Sequence, residues 1–183
     1  MLNLWQVAQV VFARLQTEYV VTTAEAVASG DTVIAQFTVP GGTWRNGEKI
    51  IILGTTLNKN NSGAARSTLI KLKVGDGALD TVSTANWSDS ATEIFTGGVF
   101  SLRRIGSKVT VSIGMPDAPS SELWQGPGGW NNHFGSGTNY HDVSPTTFAN
   151  DMVIQVVVNL ATTHATYYSK PQSVYAVKVP SWI

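Results

Sequence analysis

From residue 17 onward the chain alternates apolar and polar positions at the period of two that a half-buried strand imposes. Val33, Ala35, Phe37 and Val39 fall on one face, with Thr32, Gln36 and Thr38 opposite and Ile34 breaking the polar side. Thr68, Ile70, Leu72 and Val74 alternate with Lys71 and Lys73, and Val109, Val111 and Ile113 with Lys108, Thr110 and Ser112. Met152, Ile154, Val156, Val158 and Leu160 repeat the pattern against Gln155 and Asn159. Residues 17–27 read as a first strand, 94–105 as another with a bulge expected at Gly97-Gly98, and 173–179 as the last. Residues 49–57 open with Ile50-Ile51-Ile52-Leu53, a run short enough for a strand buried on both faces.

The punctuation between these runs is turn chemistry. Pro40-Gly41-Gly42, the polar tip 58–63, Gly75-Asp76-Gly77, the polar stretch Asn86-Trp87-Ser88 and the two-residue turn Gly106-Ser107 each stop a strand. About eight strands joined by short turns predict an all-β fold, a two-sheet antiparallel β-sandwich with a jelly roll as the leading topology. Residues 4–15 differ, because Leu4, Ala8, Val11, Phe12 and Leu15 recur at three- and four-residue spacing. That predicts a short N-terminal helix or arm over 1–16, with a strand as the alternative given the β-branched pair Val10-Val11. Residues 17–183 then form one domain, since no repeat and no linker separates two cores.

Composition sharpens this picture. The 13% charged share is about half the usual value, while 43% of the chain is apolar, which argues against disorder. A net charge of zero argues against a dedicated nucleic-acid binder, and the absence of Cys excludes a disulfide scaffold or thiol catalysis. No window approaches 18 consecutive apolar residues, and the N-terminus lacks the basic region of a signal peptide.

Residues 115–151 carry no strand pattern, and a loop that long in a compact domain is usually functional or mobile. It holds Trp124, Trp130, His133, Phe134 and Tyr140 among five Gly between Gly126 and Gly137. Three readings stand: an intersubunit arm whose aromatics anchor in a neighbour, a glycan platform, or a cap over one end of the sandwich. Leu2, Leu4, Trp5, Val11, Phe12, Trp182 and Ile183 put large apolar groups at both chain ends, where burial between subunits is expected, most readily in a homotrimer.

Catalytic chemistry finds no footing in the sequence. His133, His141 and Asp142 match no metal-ligand spacing, His164 lies far along the chain, and no Ser nucleophile has its motif. The twelve carboxylates are dispersed, so no acid–base pair stands out. The expectation is a protein that is not an enzyme and carries no metal or cofactor.

Four stretches carry a family resemblance. They are the turn and apolar run from Gly47 through Glu48 and Lys49 to Gly54, the Leu-Lys-Val-Gly of Leu72 to Gly75, the Arg-Ile-Gly hairpin of Arg104 to Gly106, and the final long strand with its partner over 151–179. Over residues 32–114 and 143–180 the chain resembles the β-sandwich proteins of tailed-bacteriophage virions, of capsid decoration, head-fibre or tail-fibre-tip type. That resemblance implies a virion structural protein on the outer surface, bound to the major capsid protein or neighbouring structural subunits, with no catalytic residues and no membrane or nucleic-acid partner. A decoration (cement or head-fibre) role leads. A receptor-binding tip recognising a host glycan, or a bacterial carbohydrate-binding module, is the alternative.

Overall fold

The structure, a computed structural model, describes residues 17–114, 140–143 and 147–180. All regular elements among them are strands: β1 (Thr17–Tyr19), β2 (Thr22–Thr23), β3 (Gly30–Val39), β4 (Lys49–Asn60), β5 (Arg66–Val74), β6 (Asp80–Trp87), β7 (Ser90–Ile105), β8 (Lys108–Gly114), β9 (Tyr140–Val143), β10 (Met152–Leu160) and β11 (Tyr167–Val179). They form two antiparallel sheets, one of six strands in the order β1-β11-β4-β7-β8-β9 and one of five in the order β2-β3-β10-β5-β6. The inward rows predicted for β5 and β10 supply the core: Leu72, Val74, Ile154, Val158 and Leu160 are buried and meet Ile50, Ile52, Leu102, Val109 and Val111 from the other sheet. This is the expected β-sandwich.

Several details depart from the sequence reading, each for a local reason. Residues 17–27 are not one strand, because the chain leaves the six-stranded sheet after Tyr19 and enters the five-stranded sheet at Thr22. Val33 does not share a face with Ala35. The register of β3 against β10 skips Ile34, so this bulge residue and Ala35 are both buried while Val33 turns outward beside Val157. The apolar Ile34 on an otherwise polar side was the mark of that bulge. At Gly97-Gly98 the pairing is regular, and the irregularity in β4–β7 lies between Asn58 and Asn60.

The polar tip starts later than expected, since β4 runs through Asn60 with Asn58 and Asn60 both buried. Burying amides demands partners. Asn60 donates to the carbonyls of Ala64 (2.9 Å) and Trp87 (3.0 Å), so its side chain ties the tip to β6. The stretch around Asn86 and Trp87 is therefore the end of a strand, with Trp87 in the core. Its indole donates to Thr68 Oγ1 (3.1 Å), which also meets the Tyr167 hydroxyl at 2.7 Å. Strand β11 begins at Tyr167, six residues earlier than the pattern predicts.

Two parts of the long segment 115–151 belong to the sandwich. Tyr140–Val143 pairs with β8 as the edge of the six-stranded sheet. Phe148 is buried edge-on against Trp44, with ring centroids 5.6 Å apart, and the Arg104 guanidinium lies 3.9 Å over its ring. Gly41 has no room for a side chain there, because a Cβ would stand 2.3 Å from the Ala149 carbonyl oxygen.

Candidate functional site

The predicted site residues fall almost entirely outside the described residues. That holds for Trp124, Trp130, His133 and Phe134 of the loop, and for Leu4, Trp5, Val11, Phe12, Trp182 and Ile183 at the chain ends. Tyr140, His141 and Asp142 are backbone positions of β9, opposite Ser112, Val111 and Thr110. His164 is exposed, its Nδ1 accepting from the Thr166 amide at 3.3 Å. Among the described residues no group of three or more His, Cys, Asp or Glu could hold a metal ion.

A different surface emerges from the register. Strand β4 buries Ile50, Ile52, Asn58 and Asn60 inward, so Ile51, Leu53, Thr55 and Leu57 face away from the core. Directly opposite on β11 stand Val177, Tyr175, Ser173 and Lys170, and on β7 Ser101, Val99, Gly97 and Phe95. The outer face of the six-stranded sheet is thus largely apolar in its middle, crossed by the hydrogen-bonded pair Thr55 and Ser173 (2.8 Å). Phe95 is 67% exposed, Tyr175 55% and Leu53 42%, while Ile51, Leu57, Val99 and Val177 are half-buried around them. The three most exposed side chains alone leave roughly 300 Å² in the open, the size at which a patch on a monomer is often functional.

The ends of this face are polar. At one end Lys49 and Arg103 sit directly opposite each other, and neither joins an ion pair among the described residues. Like charges so placed repel, which favours an acidic group on whatever covers them. At the other end Tyr168 donates to Glu93, and Lys170 lies 4.8 Å over the Tyr168 ring and 3.2 Å from Glu25. The bond to Glu93, followed by burial, pushes the Tyr168 phenol up to about 12 and keeps it a donor. An apolar centre with a polar rim is the anatomy of a protein–protein contact.

The outer face of the five-stranded sheet has the opposite character. Gln155 donates to Gln36 across β10 and β3 (3.2 Å), and Lys71 and Asn159 converge on Asp31 at 2.7 and 2.6 Å. Those two hydrogen bonds hold the Asp31 carboxyl below its usual range. A groove of about 800 Å³ there mixes polar and apolar lining, with Gln36, Lys73 and Gln155 beside Tyr19, Phe37 and Val153.

Sequence reasoning missed the apolar face, although its signal was present. The continuous run Ile50 to Leu53 was read as a strand buried on both sides, which the fold makes true of only one side among the described residues. Outward Phe95, Val99 and Tyr175 complete the patch only once β7 and β11 are known to flank β4.

No family model matches the chain, and no curated protein matches it. Among solved structures it is similar to the CBM2 module of the evolved Dit of Lactobacillus casei BL23 phage J-1, with a TM-score of 0.34 and 8% identity over 79% of this chain and 67% of that one. A superposition that loose carries no argument about function.

Proposed function

We propose that this chain is a non-enzymatic structural protein of a bacteriophage virion, a decoration protein of cement or head-fibre type that packs against neighbouring subunits on the particle's outer surface. The observation that carries the assembly role is the apolar outer face centred on Leu53, Tyr175 and Phe95. Covering such a face removes apolar surface from water at about 25 cal/mol per Å². The virion assignment rests on the sequence resemblance. We read the wiring as a jelly roll: with β2 and the edge strands β8 and β9 set aside, β1-β11-β4-β7 and β3-β10-β5-β6 make two interleaved four-stranded layers.

The test is particle occupancy. Particles lacking the protein are reloaded with wild type or with Phe95→Glu, then washed with a mild chaotrope. The expected outcome is loss of the variant and retention of wild type. Equal retention would remove the apolar face from the assembly role. The groove that sets Gln36 and Gln155 beside Tyr19, Phe37 and Val153 favours the second reading, recognition of a host glycan. In that case Gln155→Ala particles keep the protein but lose adsorption to cells.

A further inference from the structure

Resting on this assembly reading, we propose that the neighbour covering the apolar face is a second copy of the same chain, packed sheet on sheet about a two-fold axis that crosses the strands at Gly54 and Gly98. Those two residues pair with each other at the middle of the apolar rows. A two-fold axis lying along that row turns each outward residue onto the one equally far beyond it on the same strand. Next to the axis, Val99 faces Gly97 of the second copy, Leu53 faces Thr55, and Tyr175 faces Ser173. Each of the three places a large side chain over a small one, the alternation that lets two layers interdigitate. Packed sheets cross at about 30°, and positions about 3 Å from the axis stay in register through such a rotation. The same reversal carries Arg103 over Glu93 of the second copy, while Lys49 comes over Lys59, a like charge at the rim.

The area is of interface size. Strands β11, β4 and β7 run on both sides of the axis and span ~14 Å, and Lys49 to Lys59 along β4 covers ~33 Å, which gives ~470 Å² per copy and ~950 Å² for the pair. That is about the ~1,000 Å² expected of a specific interface. Among the described residues the outer face of the other sheet is largely cross-bonded by its own polar side chains, with Val153 exposed between them.

Sedimentation equilibrium of the full chain at tens of micromolar is expected to show a species of twice 19.6 kDa. Leu53→Glu, which places a carboxylate beside the axis in both copies, is expected to weaken association by about thirtyfold or more. Val153→Glu, at an exposed apolar position on the other sheet, is expected to leave it unchanged. Because the chain has no Cys, Thr55→Cys supplies a single thiol, and a short bismaleimide is expected to join two such chains in wild-type background. This second readout holds even if Leu53→Glu fails to fold. A monomer at these concentrations, a trimer, or a dimer indifferent to Leu53→Glu and not cross-linked through Cys at 55 overturns the proposal. A monomer that still leaves particles on Phe95→Glu would overturn the second copy alone and keep the virion contact.

Discussion

Tyr19→Phe and Tyr167→Phe remove the same hydroxyl from two buried phenols, and the structure assigns them opposite signs. Tyr19 is 8% exposed and stacks on Phe37, with ring centroids 5.2 Å apart and an interplanar angle of 25°. Its hydroxyl is buried with no hydrogen-bond partner among the described residues. Leaving a buried polar group unpaired costs ~1–3 kcal/mol, and Phe keeps the stack while removing that cost. Tyr19→Phe is therefore expected to raise stability by ~1 kcal/mol, which for a domain of this size moves the melting temperature up by ~2–4 °C. Tyr167 donates to the Ser67 carbonyl at 2.9 Å and meets Thr68 Oγ1 at 2.7 Å, so Tyr167→Phe orphans an acceptor and is expected to cost ~1–3 kcal/mol. Urea unfolding followed by fluorescence checks both, provided the denaturant slope is unchanged. There is also a signature in alkali. Burial first, then the nearby Glu48 charge, pushes the Tyr19 phenol up to about 12. The folded state thus resists an ionisation that the unfolded chain undergoes near its ordinary value of about 10. The stability associated with the neutral phenol is whole below pH ~10 and is lost as pH rises from there through ~12, an effect on the order of 2 kcal/mol that Tyr19→Phe should abolish. A loss of 1 kcal/mol or more in Tyr19→Phe at neutral pH would refute the reasoning, because it would mean the hydroxyl is satisfied in solution.

Three further outcomes are expected. Gly41→Ala should destabilise by ~1–3 kcal/mol in thermal unfolding, since its Cβ would meet backbone rather than a side chain that can move. Arg104→Lys should lower the melting temperature, because Lys cannot keep the stack on Phe148, the bond to the Trp44 carbonyl and the bond to Gly106 O (3.1 Å) together. Asp31 has a depressed pKa, so its contribution is present above the unfolded carboxylate value of ~4 and is lost as pH falls through its lower folded value. Asp31→Asn should accordingly flatten the acid limb of a stability–pH profile and leave its alkaline limb unchanged.

Strands that obey strict alternation were legible from the sequence, as β5 and β10 show, because inward residues every second position leave no other way to bury them. Legibility failed where a side chain compensates for breaking the pattern. Asn58 and Asn60 read as turn residues, and only the carbonyls brought up by Ala64 and Trp87 make Asn60 acceptable inside a strand. Val33 was misplaced because one bulge reverses every face beyond it. The candidate surface was hidden for a different reason. Exposure of Leu53, Phe95 and Tyr175 is a property of three strands lying side by side, and their sequence separation of up to 122 residues leaves no local trace.

The way β1 meets the end of β11 has a mechanical consequence. Strand β1 makes only three pairs with β11, from Thr17 opposite Lys178 to Tyr19 opposite Ala176, whereas β11 makes a twelve-residue ladder with β4 that ends at Val179. The strands are antiparallel, so residues 17 and 179 leave the sheet at the same end. Tension drawn between the two ends acts across those pairs one at a time, as a zipper opens, instead of shearing all of them together. Under such a pull β1 peels first, at low force, and the β4–β11 ladder stays closed behind it. Tension drawn along β4 and β11 in opposite directions meets the whole ladder at once. A load applied between residues 17 and 179 would therefore be yielded to by the first strand and resisted by the rest of the sandwich.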